Sequence, residues 1–305
     1  MTTPLLLHIG YHKTATTWMQ KQLFLPEHGY HQVSGHEEVS RYFTDIHGLQ
    51  FDHEVPRDAI LEASSEVPKG STAVISSELL VGNPFFGGRE SDVYAERLHQ
   101  AFPDAYVLIT IRAQDKVLRS IYMQYVSRGG TMPPELFFNM PKTASFPAFS
   151  ATHFEYDWLI AHYRKLFGDD KVLVLPQEAL QGNMDQSIQD LASFCANRNF
   201  KGISDAKKKV RMASYPEYAA PFLRRSNYFQ KSVLDPNPLV SFGTTPGGLY
   251  KGVGFLLKGP FFKKAFDSYR PVSRYVATEF SGRFTESNQR LRELLGGELD
   301  LSKYP

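Results

Sequence analysis

The sequence predicts an α/β protein in which a central parallel sheet is flanked by helices. Short apolar runs of strand length recur at 5–9, 72–78, 105–111 and 171–175. Runs that are apolar throughout are typical of strands buried on both faces, as in a parallel sheet. The chain has 305 residues, of which 42% are hydrophobic, enough for one large sheet and its core. We therefore expect a single domain over residues 1–305.

The first element combines an apolar run with a polar turn. Gly10 follows the run, Lys13 comes next, and threonines lead into helix-forming residues. This order predicts a buried strand, a turn of phosphate size and a helix start. The amides of residues 13–17 would point outward at the positive end of the helix dipole. Lys13 adds a full charge and Thr14, Thr16 and Thr17 add hydroxyl donors, so we expect a phosphate or sulfate group there.

The spacing within this turn differs from that of a Walker A loop, which needs G-x-x-x-x-G-K-[ST]. The chain has G-x-x-K-x-A-T-T-W, with Lys13 early in the loop. It resembles the 5′-phosphosulfate loop of sulfotransferases that use 3′-phosphoadenosine 5′-phosphosulfate (PAPS). Their usual pattern is K-x-G-T-T-W, and Ala15 stands where glycine is common. The alternative is a plain strand, turn and helix with a solvated lysine. The resemblance implies that Lys13 stabilises the leaving group and that the loop binds the cofactor through Lys13, Thr14, Ala15, Thr16, Thr17 and Trp18.

A second motif follows the apolar run 105–111. The run ends in Arg112, and apolar residues with helical spacing follow at 117, 118, 121, 122 and 125. A strand-end arginine and Ser120 on the second helical turn can converge on one anion. This pair resembles the 3′-phosphate site of sulfotransferases, which implies that Arg112 and Ser120 bind the 3′-phosphate. Taken separately, the two residues would be an ordinary ion-pair arginine and a helix filler.

The apolar run 72–78 ends in Glu78. Ligands of a doubly wound sheet gather at the carboxyl ends of its strands, so Glu78 should face the same crevice as Lys13. Sulfuryl transfer needs a base for the acceptor proton, and the resemblance implies that Glu78 is that base. Alternatively, Glu78 caps the next helix or pairs with Arg89 or Arg97. His12 is a rival base.

The rest of the chain carries weaker signals. Residues 154–167 have helical periodicity, and 171–175 form another strand, followed by Glu178 in a capping or orienting role. Beyond about residue 200 the pattern becomes irregular and mostly helical, and acceptor-binding and lid elements are expected within 127–270. Sulfotransferases bring a late basic loop over the 3′-phosphate, which implies a cofactor contact for Arg211. The segment 252–266 is apolar and basic, and core packing or an acceptor-pocket wall is favoured over membrane contact.

Composition excludes several other classes. Lys plus Arg is 34 and Asp plus Glu is 32, so a net charge of +2 provides no general attraction for nucleic acid. The single cysteine, Cys195, is expected to be a small buried residue. The sequence has no metal-spaced His/Cys cluster, no signal peptide and no apolar run long enough for a membrane span. These features suggest a bacterial enzyme that is soluble and cytoplasmic.

Together the motifs predict a PAPS-dependent sulfotransferase that releases adenosine 3′,5′-bisphosphate (PAP) and needs no metal. The acceptor would be a hydroxyl or amine of a glycan, lipid or small molecule. Peripheral membrane contact stays open as a partner interaction. The alternatives are a P-loop kinase or nucleotide hydrolase and a noncatalytic nucleotide-binding protein of the same fold.

Overall fold

A computed structural model of the chain describes residues 3–140, 148–208, 215–297 and 299–304. Within these ranges the strands form one parallel sheet in the order β2-β3-β1-β4-β5. Helices flank the sheet, so the predicted α/β class is confirmed. The strands are β1 (Leu5–His8), β2 (Tyr30–Ser34), β3 (Thr72–Ser76), β4 (Tyr106–Ile111) and β5 (Val172–Pro176).

The α-helices lie between and after the strands. They are α1 (Thr16–Trp18), α2 (His36–Val39), α3 (Glu54–Ser64), α4 (Ser91–Ala101), α5 (Gln114–Ser127), α6 (Pro134–Phe138), α7 (Tyr156–Phe167), α8 (Gln177–Gly182), α9 (Met184–Phe194), α10 (Ala220–Ser226), α11 (Gly248–Leu257), α12 (Pro260–Phe266), α13 (Pro271–Glu279) and α14 (Thr285–Leu294). A π-helical turn, Met19–Leu23, extends α1. No helix in the described part of the chain is long and apolar enough to cross a membrane.

Both faces of the sheet are buried, which explains why its central strands are apolar throughout. Leu7 and the neighbouring Ile75 belong to the core beneath α4, α5 and α7. Leu6 and Val74 point to the opposite face and pack with residues of α1, α8 and α9. Consecutive residues of each strand therefore enter different cores, as the alternation of a strand requires.

The predicted strands occur close to their expected bounds, and β2 was not predicted. Its sequence, Tyr-His-Gln-Val-Ser, is mostly polar, and its central residues are partly or fully exposed. It pairs only with β3 at the edge of the described sheet. β5 is an edge strand as well, but it is mostly buried and apolar, whereas β2 is partly exposed and mostly polar and gives no continuous apolar run.

The order of the sheet brings the three sequence motifs together. β1 lies between β3 and β4, and all three strands run in the same direction. Their carboxyl ends consequently lie at one edge of the sheet. The loop with Lys13 follows β1, Glu78 follows β3 and Arg112 follows β4.

Candidate functional site

The loop after β1 begins as a continuation of the strand. The amides of Ile9 and Tyr11 donate to the carbonyls of Leu108 and Thr110, at 3.0 and 2.9 Å. Gly10 between them permits this close approach, because a β-carbon at that position would lie 2.1 Å from Thr110 Oγ1. The loop is thereby fixed against β4 before it turns.

The turn itself is built from residues in the left-handed region. Lys13 has φ 68° and Ala15 has φ 74°. Alternation of this conformation with ordinary backbone turns successive amides toward one side and forms a concave anion-binding nest. None of the amides of residues 13–17 donates a hydrogen bond to a described residue; the first to do so is Trp18, to Ala15 O at 2.9 Å. The loop therefore presents unpaired donors at a helix N-terminus.

The threonines of this loop differ in orientation. The Thr14 hydroxyl is buried, donates to Tyr11 O at 2.5 Å and lies 2.6 Å from Thr110 Oγ1. In this structure the Thr14 hydroxyl holds the loop to β4, and the predicted contact of Thr14 with a cofactor stays a prediction. Thr16 Oγ1 is buried without a hydrogen-bond partner, and Thr17 is exposed. An unpaired buried hydroxyl is costly, so Thr16 suits a site completed by a ligand.

Trp18 has a positioning contact. Its indole N–H donates to the carbonyl of Lys207 at 2.8 Å. This bond places the beginning of the basic segment 207–211 beside α1. Lys207 and Lys208 form ion pairs with Glu27 and with Asp185 and Asp205. Arg211 lies outside the described residues, so its predicted cofactor contact stays a prediction.

Arg112 connects the first motif to the second. It is only 6% exposed, and its Nη1 donates to Lys13 O at 3.3 Å and to Ser120 Oγ at 3.1 Å. No carboxylate of the described residues lies within ion-pair distance of its guanidinium. Burial lowers the pKa of Arg112, and the neighbouring charge of Arg119 adds to this effect. A buried guanidinium without an anionic partner is expensive, which favours a bound anion.

Glu178 supports the turn that carries Arg112. Its carboxylate accepts from the amide of Ala113 at 3.3 Å and from the hydroxyl of Tyr304 at 3.1 Å. Lys116 Nζ lies 4.0 Å away. These contacts give Glu178 an orienting role, as expected, and explain how the end of the chain packs near the site.

Glu78 begins a short 3₁₀ turn directly after β3. Ser77 caps this turn by accepting from the amide of Leu79 at 3.2 Å. Oε2 of Glu78 lies 3.5 Å from Nε2 of His36, while Nδ1 of His36 is 2.8 Å from Ser77 Oγ. The partner of Glu78 is thus His36, the first residue of α2, which the sequence analysis did not single out.

The arginines considered as partners of Glu78 lie elsewhere. Arg97 is buried, donates to Phe43 O and lies 4.9 Å from the centroid of the Phe51 ring. Arg89 is exposed and makes no ion pair with Glu78. The proposed pairing of Glu78 with either arginine is therefore wrong, because a histidine from α2 occupies that position.

Lys13 and Glu78 influence each other electrostatically. Loss of hydration within the site lowers the pKa of Lys13, and the charges of Arg112 and Arg128 lower it further. The Glu78 carboxylate acts in the opposite direction and favours the ammonium form. The site consequently combines a crowded set of cations with the carboxylate of Glu78 beside Lys13 and that of Glu178 on the Arg112 side.

The two histidines of the first motif are both buried. Hydrogen bonds join His8 Nδ1 to Ser76 Oγ at 2.8 Å and His8 Nε2 to Thr110 Oγ1 at 3.4 Å, as expected for a satisfied sheet histidine. Burial lowers the pKa of His12 to about 3, with a further contribution from His153. A general base works best when its pKa lies near the working pH. The His12 imidazole is thus a weak base in this environment.

A cavity of about 330 Å³ lies beside the loop that follows β1, and Tyr11 of that loop is part of its lining. His153 lines it as well, with its ring centroid 5.1 Å from that of Tyr11. The rest of the lining comes from residues 87–92 and from the start of α7. His153 Nε2 is buried without a hydrogen-bond partner. Nε2 of His162, which also lines the cavity, is likewise buried without a partner among the described residues, so the cavity offers space and two unpaired ring nitrogens.

Comparisons with known proteins give two solved sulfotransferases among the similar structures. A sulfotransferase from Alicyclobacillus acidocaldarius is 16% identical, with a TM-score of 0.46, over 75% of this chain and 91% of that chain. The mouse sulfotransferase SULT7A1, complexed with PAP, is 12% identical, with a TM-score of 0.37, over 88% of this chain and 83% of that chain. No protein-family model and no curated protein matches the chain. At such low similarity, the function must be argued from the site itself.

Proposed function

We propose that this protein is a PAPS-dependent sulfotransferase that transfers a sulfuryl group to a hydroxyl or amine. The observation that carries the proposal is the buried Arg112, which donates to the carbonyl of Lys13 and the hydroxyl of Ser120 and has no carboxylate of the described residues within ion-pair distance. It joins two anion-binding elements at neighbouring strand ends. PAPS carries a 5′-phosphosulfate and a 3′-phosphate, so each of the two anion-binding elements would bind one of its anionic groups.

The donor's 5′ end fits the loop after β1. The unpaired amides of residues 13–17, the hydroxyls of Thr16 and Thr17 and the Lys13 ammonium supply the donors. The 3′-phosphate would accept from Arg112, and from Ser120 once the Ser120 hydroxyl turns away from the carbonyl of Lys116, to which it donates at 2.8 Å. A planar guanidinium with N–H groups left over suits bidentate contact with phosphate. Arg211 is proposed as a further contact to the 3′-phosphate.

The reaction is an in-line displacement at sulfur. The acceptor oxygen or nitrogen forms a bond to sulfur while the bond from sulfur to the bridging phosphate oxygen breaks. The electron pair of that bond stays with the phosphate, and the products are the sulfated acceptor and PAP. Lys13 stabilises negative charge on the bridging oxygen as it develops. Glu78 accepts the proton that the acceptor loses.

Glu78 is preferred over His12 as the base because of their surroundings. The Glu78 side chain is 28% exposed and lies beside His36, whose side chain is 48% exposed. An incoming acceptor can therefore reach the carboxylate. His12 is buried, and its lowered pKa makes its imidazole a poor proton acceptor. His36 would hold the Glu78 carboxylate in place.

The acceptor could be a glycan, a lipid or a small molecule, and the cavity beside Tyr11 is the proposed place for part of it. Its lining includes the rings of Trp158 and His162 and the carboxylates of Asp92 and Glu155. Such a mixture of rings and polar groups suits an acceptor with both apolar and hydroxyl-bearing parts.

The proposal is tested by ligand binding and then by turnover. Calorimetry should give binding of PAP without added metal and no comparable binding of ATP with magnesium. Mass spectrometry of an extract incubated with enzyme and PAPS should then reveal products heavier by one sulfuryl group. Tighter binding of ATP with magnesium would favour the kinase or hydrolase alternative. Binding of PAP without any sulfated product across glycan, lipid and phenol extracts would favour a noncatalytic nucleotide-binding protein.

A further inference from the structure

Helices α11 and α12 expose large apolar side chains. Phe255 and Leu256 on α11 are 82% and 60% exposed, and Phe261 on α12 is 76% exposed. The sequence pattern favoured core packing or an acceptor-pocket wall for residues 252–266, yet α12 has no buried residue. We name residues 248–266 the apolar–basic segment. Packing in the core therefore does not explain the exposed apolar side chains of this segment.

α11 also carries large apolar side chains on the face that points away from the protein. Tyr250, Gly254 and Leu257 face the core. Lys251, Phe255 and Leu256 share the opposite, exposed face. A helix on the surface of a soluble domain normally presents polar side chains to water. α11 instead combines apolar groups and a lysine on its outer face.

The charges of the segment all have one sign. It contains Lys251, Lys258, Lys263 and Lys264 and neither aspartate nor glutamate. All four lysines are exposed. The whole chain, by comparison, is nearly neutral, with a net charge of +2. Positive charge and exposed rings are therefore concentrated together.

A second exposed apolar group lies next to the start of α11. Val233, Leu239 and Phe242 are 83%, 105% and 63% exposed. Their loop is tied to the helix, because the amide of Leu249 donates to Phe242 O at 3.3 Å and that of Tyr250 donates to Gln230 Oε1 at 3.0 Å. The exposed apolar surface thus extends beyond the two helices.

We propose that the apolar–basic segment binds the surface of an anionic lipid bilayer. Short amphipathic helices with aromatic and lysine residues insert their rings at the boundary between headgroups and acyl chains, while lysines attract anionic headgroups. Charge complementarity selects this partner over a second copy of the chain, because two such faces would bring eight lysines together without a carboxylate in either segment. The proposal does not depend on the sulfotransferase assignment.

The test is co-sedimentation of the full chain with lipid vesicles. We expect binding to phosphatidylcholine vesicles that contain about one third phosphatidylglycerol, weak binding to pure phosphatidylcholine and weaker binding at high salt. The triple variant Phe255→Ser, Leu256→Ser, Phe261→Ser should reduce partitioning at least about tenfold. The variant Lys251→Gln, Lys263→Gln, Lys264→Gln should reduce it on the order of a hundredfold.

Matched controls separate the surface from general effects. Leu49→Ser, Val55→Ser, Leu61→Ser removes side chains that are 93%, 54% and 56% exposed outside the segment, and partitioning should not change. Replacement of the exposed Lys69, Lys165 and Lys201 by glutamine is the charge control. If the serine variant does not fold, the glutamine variant carries the test alone.

Several outcomes would overturn the proposal. Wild-type protein that stays in the supernatant with anionic vesicles would do so. Equal binding to neutral and anionic vesicles, or equal losses in the control variants, would do so as well. A dimer in light scattering that the serine variant abolishes, without vesicle binding, would assign the face to a second copy of the chain.

Discussion

Nε2 of His36 lies 3.5 Å from Oε2 of Glu78, so the first residue of α2 pairs with the residue that follows β3. Ser77 strengthens this link, since its hydroxyl is 2.8 Å from the other ring nitrogen of His36. The pair therefore has a defined orientation at the sheet edge that also holds Lys13. It explains how the carboxylate of Glu78 is held beside the loop that follows β1.

Substitutions of Glu78 and of His36 should distinguish the proposed base from the residue that positions it. Glu78→Gln keeps size and polarity but removes the proton acceptor, so kcat should fall on the order of a hundred- to ten-thousandfold. His36→Gln removes the imidazole beside Glu78 and leaves the carboxylate itself, so kcat should fall only about tenfold. PAP affinity, measured by calorimetry, should stay within a few fold in both. A Glu78→Gln enzyme with more than about a tenth of the activity would shift the base to a histidine.

Lys13→Ala should weaken both donor binding and turnover. A charge-assisted contact is worth about 1.5 to 3 kcal/mol, and the same ammonium would stabilise the leaving group. We expect the loss in kcat/KM to exceed the loss in PAP affinity. Lys165→Ala, an exposed lysine on α7, is the matched control. Normal turnover by Lys13→Ala would contradict the assignment of the loop.

Arg112→Ala should weaken the binding of one nucleotide and leave the binding of another nearly unchanged. Affinity for PAP should fall about ten- to a hundredfold, while affinity for adenosine 5′-phosphate, which lacks the 3′ group, should stay nearly unchanged. Arg198→Ala is the control, because Arg198 is exposed and follows α9, away from the residues of the site. Equal losses for both nucleotides would make Arg112 a purely structural residue.

The sequence predicted the parts of the site whose signals are local. Lys13 and Arg112 each follow a buried apolar run, so their positions at the sheet edge could be deduced from the chain itself. His36 could not, because it follows β2, an edge strand with a polar sequence and no clear strand pattern. Without β2 nothing places α2 near Glu78.

The orientation and exposure of individual side chains could not be predicted from the sequence either. Thr14 has the same residue type as its neighbours in the loop, and only the approach of Thr110 from β4 turns its hydroxyl inward. Phe255 and Phe261 carry the apolar pattern of core residues, but their helices lie on the outside. Both outcomes depend on which distant elements cover a segment, and a local pattern does not contain that information.

Ala15→Gly should stabilise the protein. Ala15 has φ 74° and ψ 17°, a left-handed conformation that costs about 1 to 2 kcal/mol for a residue with a β-carbon. Glycine removes this strain but loses about 0.4 to 1 kcal/mol through greater freedom of the unfolded chain. The free energy of unfolding should therefore rise by about 0.5 to 1 kcal/mol in urea titrations.

The same substitution of alanine by glycine should lower the free energy of unfolding when it is made in a helix. Ala63 is exposed near the end of α3, where Ala63→Gly should lower the free energy of unfolding by about 0.5 to 1 kcal/mol. If both variants lose stability equally, the left-handed conformation of Ala15 is not the source of strain in the loop.

Acid should destabilise the fold through its buried histidines. Burial lowers the pKa of His8 and His12 to about 3 and that of His153 to about 4, whereas an unfolded histidine titrates near 6.5. Between these values the unfolded chain binds more protons than the folded one. The stabilising contribution is complete above about pH 6.5 and declines as the pH falls toward 4, by up to about 1.4 kcal/mol per pH unit for each histidine.

His8→Gln tests this linkage with the histidine whose contacts are best defined. The variant should be less stable at neutral pH, because it disturbs the hydrogen bonds to Ser76 and Thr110. Its free energy of unfolding should nevertheless fall less steeply between pH 6.5 and 5 than that of the wild type, by about 1.4 kcal/mol per pH unit. Urea titrations at several pH values measure both slopes, with the exposed His47→Gln as the matched control. Parallel slopes for His8→Gln and wild type would mean that His8 takes up no proton on unfolding, which would contradict the neutral, buried state of its ring.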